Sequence, residues 1–145
     1  MRNLYVYAWL LFSGCIIAQQ SDFKHIDFSK ADAIAKSVKS KRLYELNKLT
    51  LQLTADLQTD VEKLRSIHTW ICSNVANDFS LYSLNERKRK KYVNDSIQLE
   101  RWNSDFKQRL FKKLLKKKKT ICTGYAYLLK EMCTIAGIKA EMVNG

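Results

Sequence analysis

Apolar residues along this chain recur at intervals of three and four, which predicts helices rather than strands over most of its length. Ser29, with Asp32 three positions on, reads as a weak N-terminal cap for a short helix through about Val38. A second segment, Lys41 to Leu53, sets Leu43, Leu46, Leu49 and Leu53 mostly at helical spacing. Its Leu49-Leu51-Leu53 alternation also fits a strand, and both readings stay open there. Thr59-Asp60-Val61-Glu62 is a capping box, followed by Val61, Leu64, His68, Ile71 and Val75 on one face, in a helix expected to end near Asn77-Asp78. Another helix runs from about Ile97 to Leu115, with Trp102, Phe106, Leu110 and Leu114 every four residues. The last helix carries Cys122, Ala126, Leu129, Cys133 and Ala136 as one stripe. Gly137 is placed to end it, and Ile138 to Asn144 reads as the start of a strand.

Composition supports the helical reading and narrows it. At 145 residues the chain is one small domain or less. It has no proline and only four glycines, of which Gly124 and Gly137 are interior. That excludes a proline-rich recognition module and argues against a turn-rich sandwich or barrel. The formal net charge is +12, yet residues 84–119 alone hold 14 Lys or Arg against four acids. The positive field therefore belongs to one segment, with Arg87 to Lys91 at one end and Lys116 to Lys119 at the other. Such runs are most simply a solvated face, and their functional use would be to attract anionic polymers or surfaces. No aromatic interleaving or nucleic-acid motif accompanies them, so nucleic acid is not an expected partner.

The N-terminus reads as a targeting segment. Met1-Arg2-Asn3 is a short basic stretch, followed by apolar residues from Leu4 to Phe12 and then Ser13 to Ala18. A signal peptide over residues 1–18, cleaved near Ala18, and export are the expectation. The apolar run is too short to span a bilayer, so no transmembrane helix is expected after cleavage. Ser13-Gly14 before Cys15 leaves a lipoprotein anchored at Cys15 as the alternative. Three cysteines then remain, Cys72, Cys122 and Cys133, an odd number in an oxidising compartment. No CxxC or HxxxH spacing occurs and there are two histidines, His25 and His68, so no metal site is expected.

The stretch with most chemistry is Lys119-Thr-Ile-Cys-Thr-Gly-Tyr-Ala-Tyr-Leu-Leu-Lys-Glu-Met-Cys133. It puts Cys122 in the first turn of a helix, directly after a lysine run. A thiol so placed faces unpaired N–H groups, which favour the thiolate nucleophile. Cys133 lies 11 residues further on, about 16 Å along the helix, too far for a disulfide. Gly124 permits a close approach by backbone or substrate. On their own helices, Cys72 and Cys133 fall at apolar spacing and read as core thiols, and His68 reads as a half-buried structural imidazole.

Cys122-Thr-Gly-Tyr-Ala126, an amphipathic helix with a second cysteine, then Ala136-Gly-Ile-Lys-Ala140, resembles the nucleophile helix of the transglutaminase-like superfamily. The upstream Lys63-Leu-Arg-Ser-Ile-His-Thr-Trp-Ile71 is similar to a second segment of that family, and Asn74 to Asp78 to the end of its helix. The resemblance spans roughly Thr59 to Gly145. It implies an α+β, papain-like core, of which this chain would be a mostly α-helical part with one short C-terminal strand. It also implies a Cys-His-Asp triad whose cysteine attacks an amide carbonyl and forms a thioester, passed on to an amine or to water, with no cofactor. By this resemblance Cys122 is the nucleophile, Gly124 and Tyr125 are its motif neighbours near the substrate, and the substrate is a peptide or protein amide. The Cys122 backbone N–H is one candidate oxyanion donor.

The family's His and Asp lie downstream of the cysteine, whereas this sequence has no histidine after His68. The expectation is therefore a signal peptide at 1–18, a helical extension at 19–58 and a partial transglutaminase-like domain at 59–145, inactive by itself. The alternative function is a non-catalytic module whose basic segment, residues 87–119, binds an anionic cell-envelope polymer.

Overall fold

A computed structural model describes residues 23–39 and 43–143. The targeting segment expected over 1–18, with Cys15, lies outside the described residues. The chain divides into two compact units, residues 1–30 and 31–145. In the first, the described residues form a turn at 23–25, with the Phe23 and Phe28 rings 6.5 Å apart.

Among the described residues, six helices and two short strands follow in order: α1 (Ser29–Ser37), α2 (Leu46–Thr54), α3 (Asp60–Asn74), β1 (Ala76–Asn77), α4 (Phe79–Lys91), α5 (Ser96–Lys117), β2 (Lys119–Thr120) and α6 (Cys122–Ile135). Local chemistry sets several ends. The Asp27 carboxylate accepts from both the amide and the hydroxyl of Ser29, so Asp27, not a Ser29–Asp32 pair, starts α1. Thr59 and Glu62 form the complete capping box of α3. At the end of α6, Gly137 has φ of +80°, Ile138 N–H bonds Cys133 O at 2.8 Å, and Gly137 N–H bonds Thr134 O at 3.1 Å. These paired bonds are the Schellman arrangement that a left-handed glycine permits.

The α2 segment resolves as helix, with Leu49 and Leu53 buried and Leu51 turned to solvent. Both leucines share a core with Ile67, Trp70, Ile71 and Val75 at α3, Leu114 of α5, and Leu128 and Met132 of α6. Trp70 is fully buried, and its Nε1 donates to Val38 O at 3.0 Å. Asp32 of α1 receives Arg65 Nε at 2.8 Å and Thr69 Oγ1 at 3.1 Å, which fixes α3 from its other edge. A smaller cluster, Leu81, Phe106, Leu110 and Ile121, joins α4 and α5 to the start of α6.

Two expected features change. Residues 79–91, to which the apolar spacing assigns no helix, form α4, and its N-cap is Asp78. The strand expected over Ile138 to Asn144 is not formed among the described residues, because 138–143 has no neighbouring strand to bond. The two strands lie elsewhere and are parallel, with Ala76 opposite Lys119 and Asn77 opposite Thr120. Ala76 N–H bonds Lys118 O and Asp78 N–H bonds Thr120 O, each at 2.8 Å. This short ladder brings the exit of α3 beside the entry to α6. Among the described residues no helix is long and apolar enough to cross a membrane.

Candidate thiol site

β2 and the single residue Ile121 deliver Cys122 to the first position of α6. Ile121 is buried and extended, with φ of −110° and ψ of 178°, and offers no side chain to cap the helix. The amides of Gly124 and Tyr125 both bond Ile121 O, at 2.9 and 3.1 Å. The helical ladder thus begins at Gly124 and leaves the Cys122 and Thr123 amides outside it, as in any helix start. Cys122 itself is exposed, with Thr123 Oγ1 4.0 Å from its sulfur. Of the stripe Cys122, Ala126, Leu129, Cys133 and Ala136, Cys133 is buried and Ala126, Leu129 and Ala136 are half-buried. Ile121, Gly124, Leu128, Met132 and Cys133 face the core, and Cys122 opens to solvent.

The neighbours of Cys122 are held tightly. A Cβ on Gly124 would lie 1.8 Å from Thr120 Oγ1 and 3.0 Å from Leu110 Cδ2, so the close approach this glycine permits is made by Thr120 and Leu110. Tyr125 is half-buried, and its hydroxyl donates to Val75 O at 2.8 Å, which satisfies a carbonyl at the exit of α3. Burial, and then the charge of nearby Cys72, raises the Tyr125 phenol above the usual tyrosine value.

The other thiols differ from each other. Cys133 is buried, as expected, and burial pushes its thiol up, away from the reactive form. Cys72 is exposed, contrary to its apolar spacing, and so is His68. The cause is which stripe of α3 meets its neighbours. Ser66, Ile67, Trp70 and Ile71 turn inward, whereas Leu64, His68 and Cys72 turn out. Cys72 Sγ lies 3.6 Å from His68 Nε2. Both stripes recur at helical intervals, Ile67, Trp70 and Ile71 by three and four and Leu64, His68 and Cys72 by four, so the spacing does not choose between them.

A second feature beside the site is electrostatic. Asp78, 5% exposed, caps α4 through Leu81 N–H at 3.1 Å, accepts Ser80 Oγ at 2.7 Å, and pairs through its other oxygen with Lys113 of α5. Burial pushes this carboxyl up, but the Lys113, Ser80 and Leu81 hydrogen bonds and the Lys113 charge outweigh it and bring it down to about 2. The basic segment 87–119 spans the end of α4 and all of α5. Arg87, Arg89, Lys90 and Lys91 are exposed, while Lys88 sits 5.6 Å and 5.7 Å over the Tyr92 and Trp102 rings. Trp102 is half-buried, with Nε1 donating to Asn85 Oδ1 at 3.0 Å. Among the described residues no group of three His, Cys, Asp or Glu could hold a metal ion.

Comparison with known proteins finds a likeness of the chain to two curated proteins. Over 118 residues, 81% of its length, it is 30% identical to the Kyphoscoliosis peptidase of Mus musculus. It is 29% identical over 118 residues to the Kyphoscoliosis peptidase of Homo sapiens. The chain spans 15% of the length of each of these relatives. No family model matches it, and no solved structure does.

Proposed function

We propose that this chain is the nucleophile-bearing, helical part of a transglutaminase-like thiol domain, and that Cys122 attacks peptide or protein amides. The observation that carries the reading is the setting of Cys122: exposed, first in α6, with its flanks immobilised by Thr120 against Gly124 and by Tyr125 on Val75. A thiolate there would face the leading amides of the helix, which also lie where a tetrahedral oxyanion would need donors. Likeness to a peptidase over most of the chain supports amide chemistry of this kind. The accompanying fold is an α+β, papain-like core to which these helices contribute. The same reading keeps export through residues 1–18.

In the proposed reaction the Cys122 sulfur adds to the amide carbonyl, the amine leaves with a proton, and a thioester remains for transfer to an amine or to water. That proton traffic needs a base. His68 is engaged with Cys72 instead, so the base for Cys122 would come from outside these 145 residues. An activated acyl ester tests the nucleophile without it, because its leaving group departs unprotonated. Incubated with a p-nitrophenyl acyl ester, the wild-type chain is expected to place the acyl group on Cys122 as a hydroxylamine-sensitive thioester. The Cys122→Ser variant should lose that adduct. Equal acylation of Cys122 and of free cysteine in solution would overturn the assignment.

A further inference from the structure

α3 is anchored on one side by Trp70, Ile67 and Ile71 and tied to α1 through Arg65 and Asp32. Its outward side carries His68 and Cys72, both exposed and one helical turn apart. The Cys72 sulfur lies 3.6 Å from His68 Nε2. With the ring proton on Nδ1, the thiol donates to Nε2, which is the geometry of a nucleophile beside its base. The helix holds both groups on one rigid turn, so the contact depends on no loop. Tyr125 of α6 stands beside Cys72, its hydroxyl committed to Val75 O. The side of the pair facing solvent is left open to a small reagent.

We propose that Cys72 and His68 form a second thiol site, independent of Cys122, which exchanges with low-molecular-weight disulfides. His68 Nε2 takes the thiol proton as the Cys72 sulfur attacks one sulfur of the disulfide. The disulfide bond breaks, a new one joins Cys72 to half of the reagent, and the other half leaves as a thiolate that recovers the proton from His68. The reagent disulfide is the oxidant and is reduced by the same electron pair that Cys72 loses, so no further redox partner is required. The product is a mixed disulfide on the exposed face of α3.

The test treats the intact chain with oxidised glutathione and follows each cysteine by site-resolved mass spectrometry. Cys72 should gain the adduct at least about threefold faster in the folded chain than in the chain unfolded by urea. His68→Gln should remove that advantage at Cys72 and leave the rate at Cys122 unchanged. Both side chains are exposed, so circular dichroism of the variant should match the parent. Cys122→Ser should leave exchange at Cys72 intact. Equal folded and unfolded rates at Cys72, no effect of His68→Gln, or loss of exchange in Cys122→Ser would each overturn the proposal. Failure of acyl transfer at Cys122 would leave it standing, so the two sites are tested separately.

Discussion

Replacing Asp78 by Asn removes one charge from the junction that positions α4, α5 and β2. The Asp78 backbone amide bonds Thr120 O of β2, its carboxylate caps α4, and its other oxygen meets Lys113 of α5. Asparagine is as good an N-cap as aspartate, so the change isolates the ionic part. The carboxyl is held at about 2 against an ordinary 3.8. At about 1.4 kcal/mol per pKa unit, that difference corresponds to about 2 kcal/mol of stability. Lys113 retains 32% exposure, so its freed ammonium can turn to water and no stranded charge enlarges the loss. A lowered folded-state value means that the unfolded chain binds the proton more readily. The stabilisation is thus complete above the unfolded value and lost as pH falls through the folded one. Urea unfolding of wild type and Asp78→Asn should show a gap of about 2 kcal/mol at neutral pH, narrowing between about pH 4 and pH 2. A gap of the same size throughout that range would assign the effect to packing. The absence of any gap at neutral pH would refute the ion pair's contribution.

Two glycines yield opposite kinds of strain. Gly124→Ala drives a methyl into Thr120 and Leu110, both buried, and should cost about 3 kcal/mol in urea unfolding. Thr120 Oγ1, the nearest atom, is buried without a hydrogen-bond partner, so adding Thr120→Ala should restore roughly half of that loss. Stability of Gly124→Ala within about 0.5 kcal/mol of wild type would contradict the packing. Gly137→Ala meets open space but keeps φ of +80°, so only backbone strain of about 1 kcal/mol is expected, seen as a Tm lower by about 4 °C. No change in Tm would show that the helix end relaxes out of the left-handed conformation.

What the sequence discloses follows the range of the interaction concerned. The Thr59–Glu62 box, the Gly137 cap and Cys122 at a helix start are settled within four or five residues, and all three are legible. The apolar row of Phe106, Leu110 and Leu114 is equally plain because α5 is long and its other faces are charged. α4 is hidden by its own composition. Leu81 is its one buried residue, and Asp78, its cap, also reads as the end of the preceding helix. The β1–β2 ladder pairs residues 43 positions apart through two residues each, too little for any periodicity. Which stripe of α3 is buried depends on α1, α2 and α6. His68 and Cys72 therefore come out as an exposed pair only once those helices are in place.

Site-resolved acylation of Cys122 in the folded chain, compared with the same chain unfolded in urea, tests the central claim most directly. Presentation at the start of α6 predicts a folded rate above the unfolded one by roughly tenfold, with Cys133 unlabelled until unfolding. A Cys122 rate that is equal in the two states, or lower when folded, would show that the helix does nothing for the thiol and would contradict the proposed nucleophile.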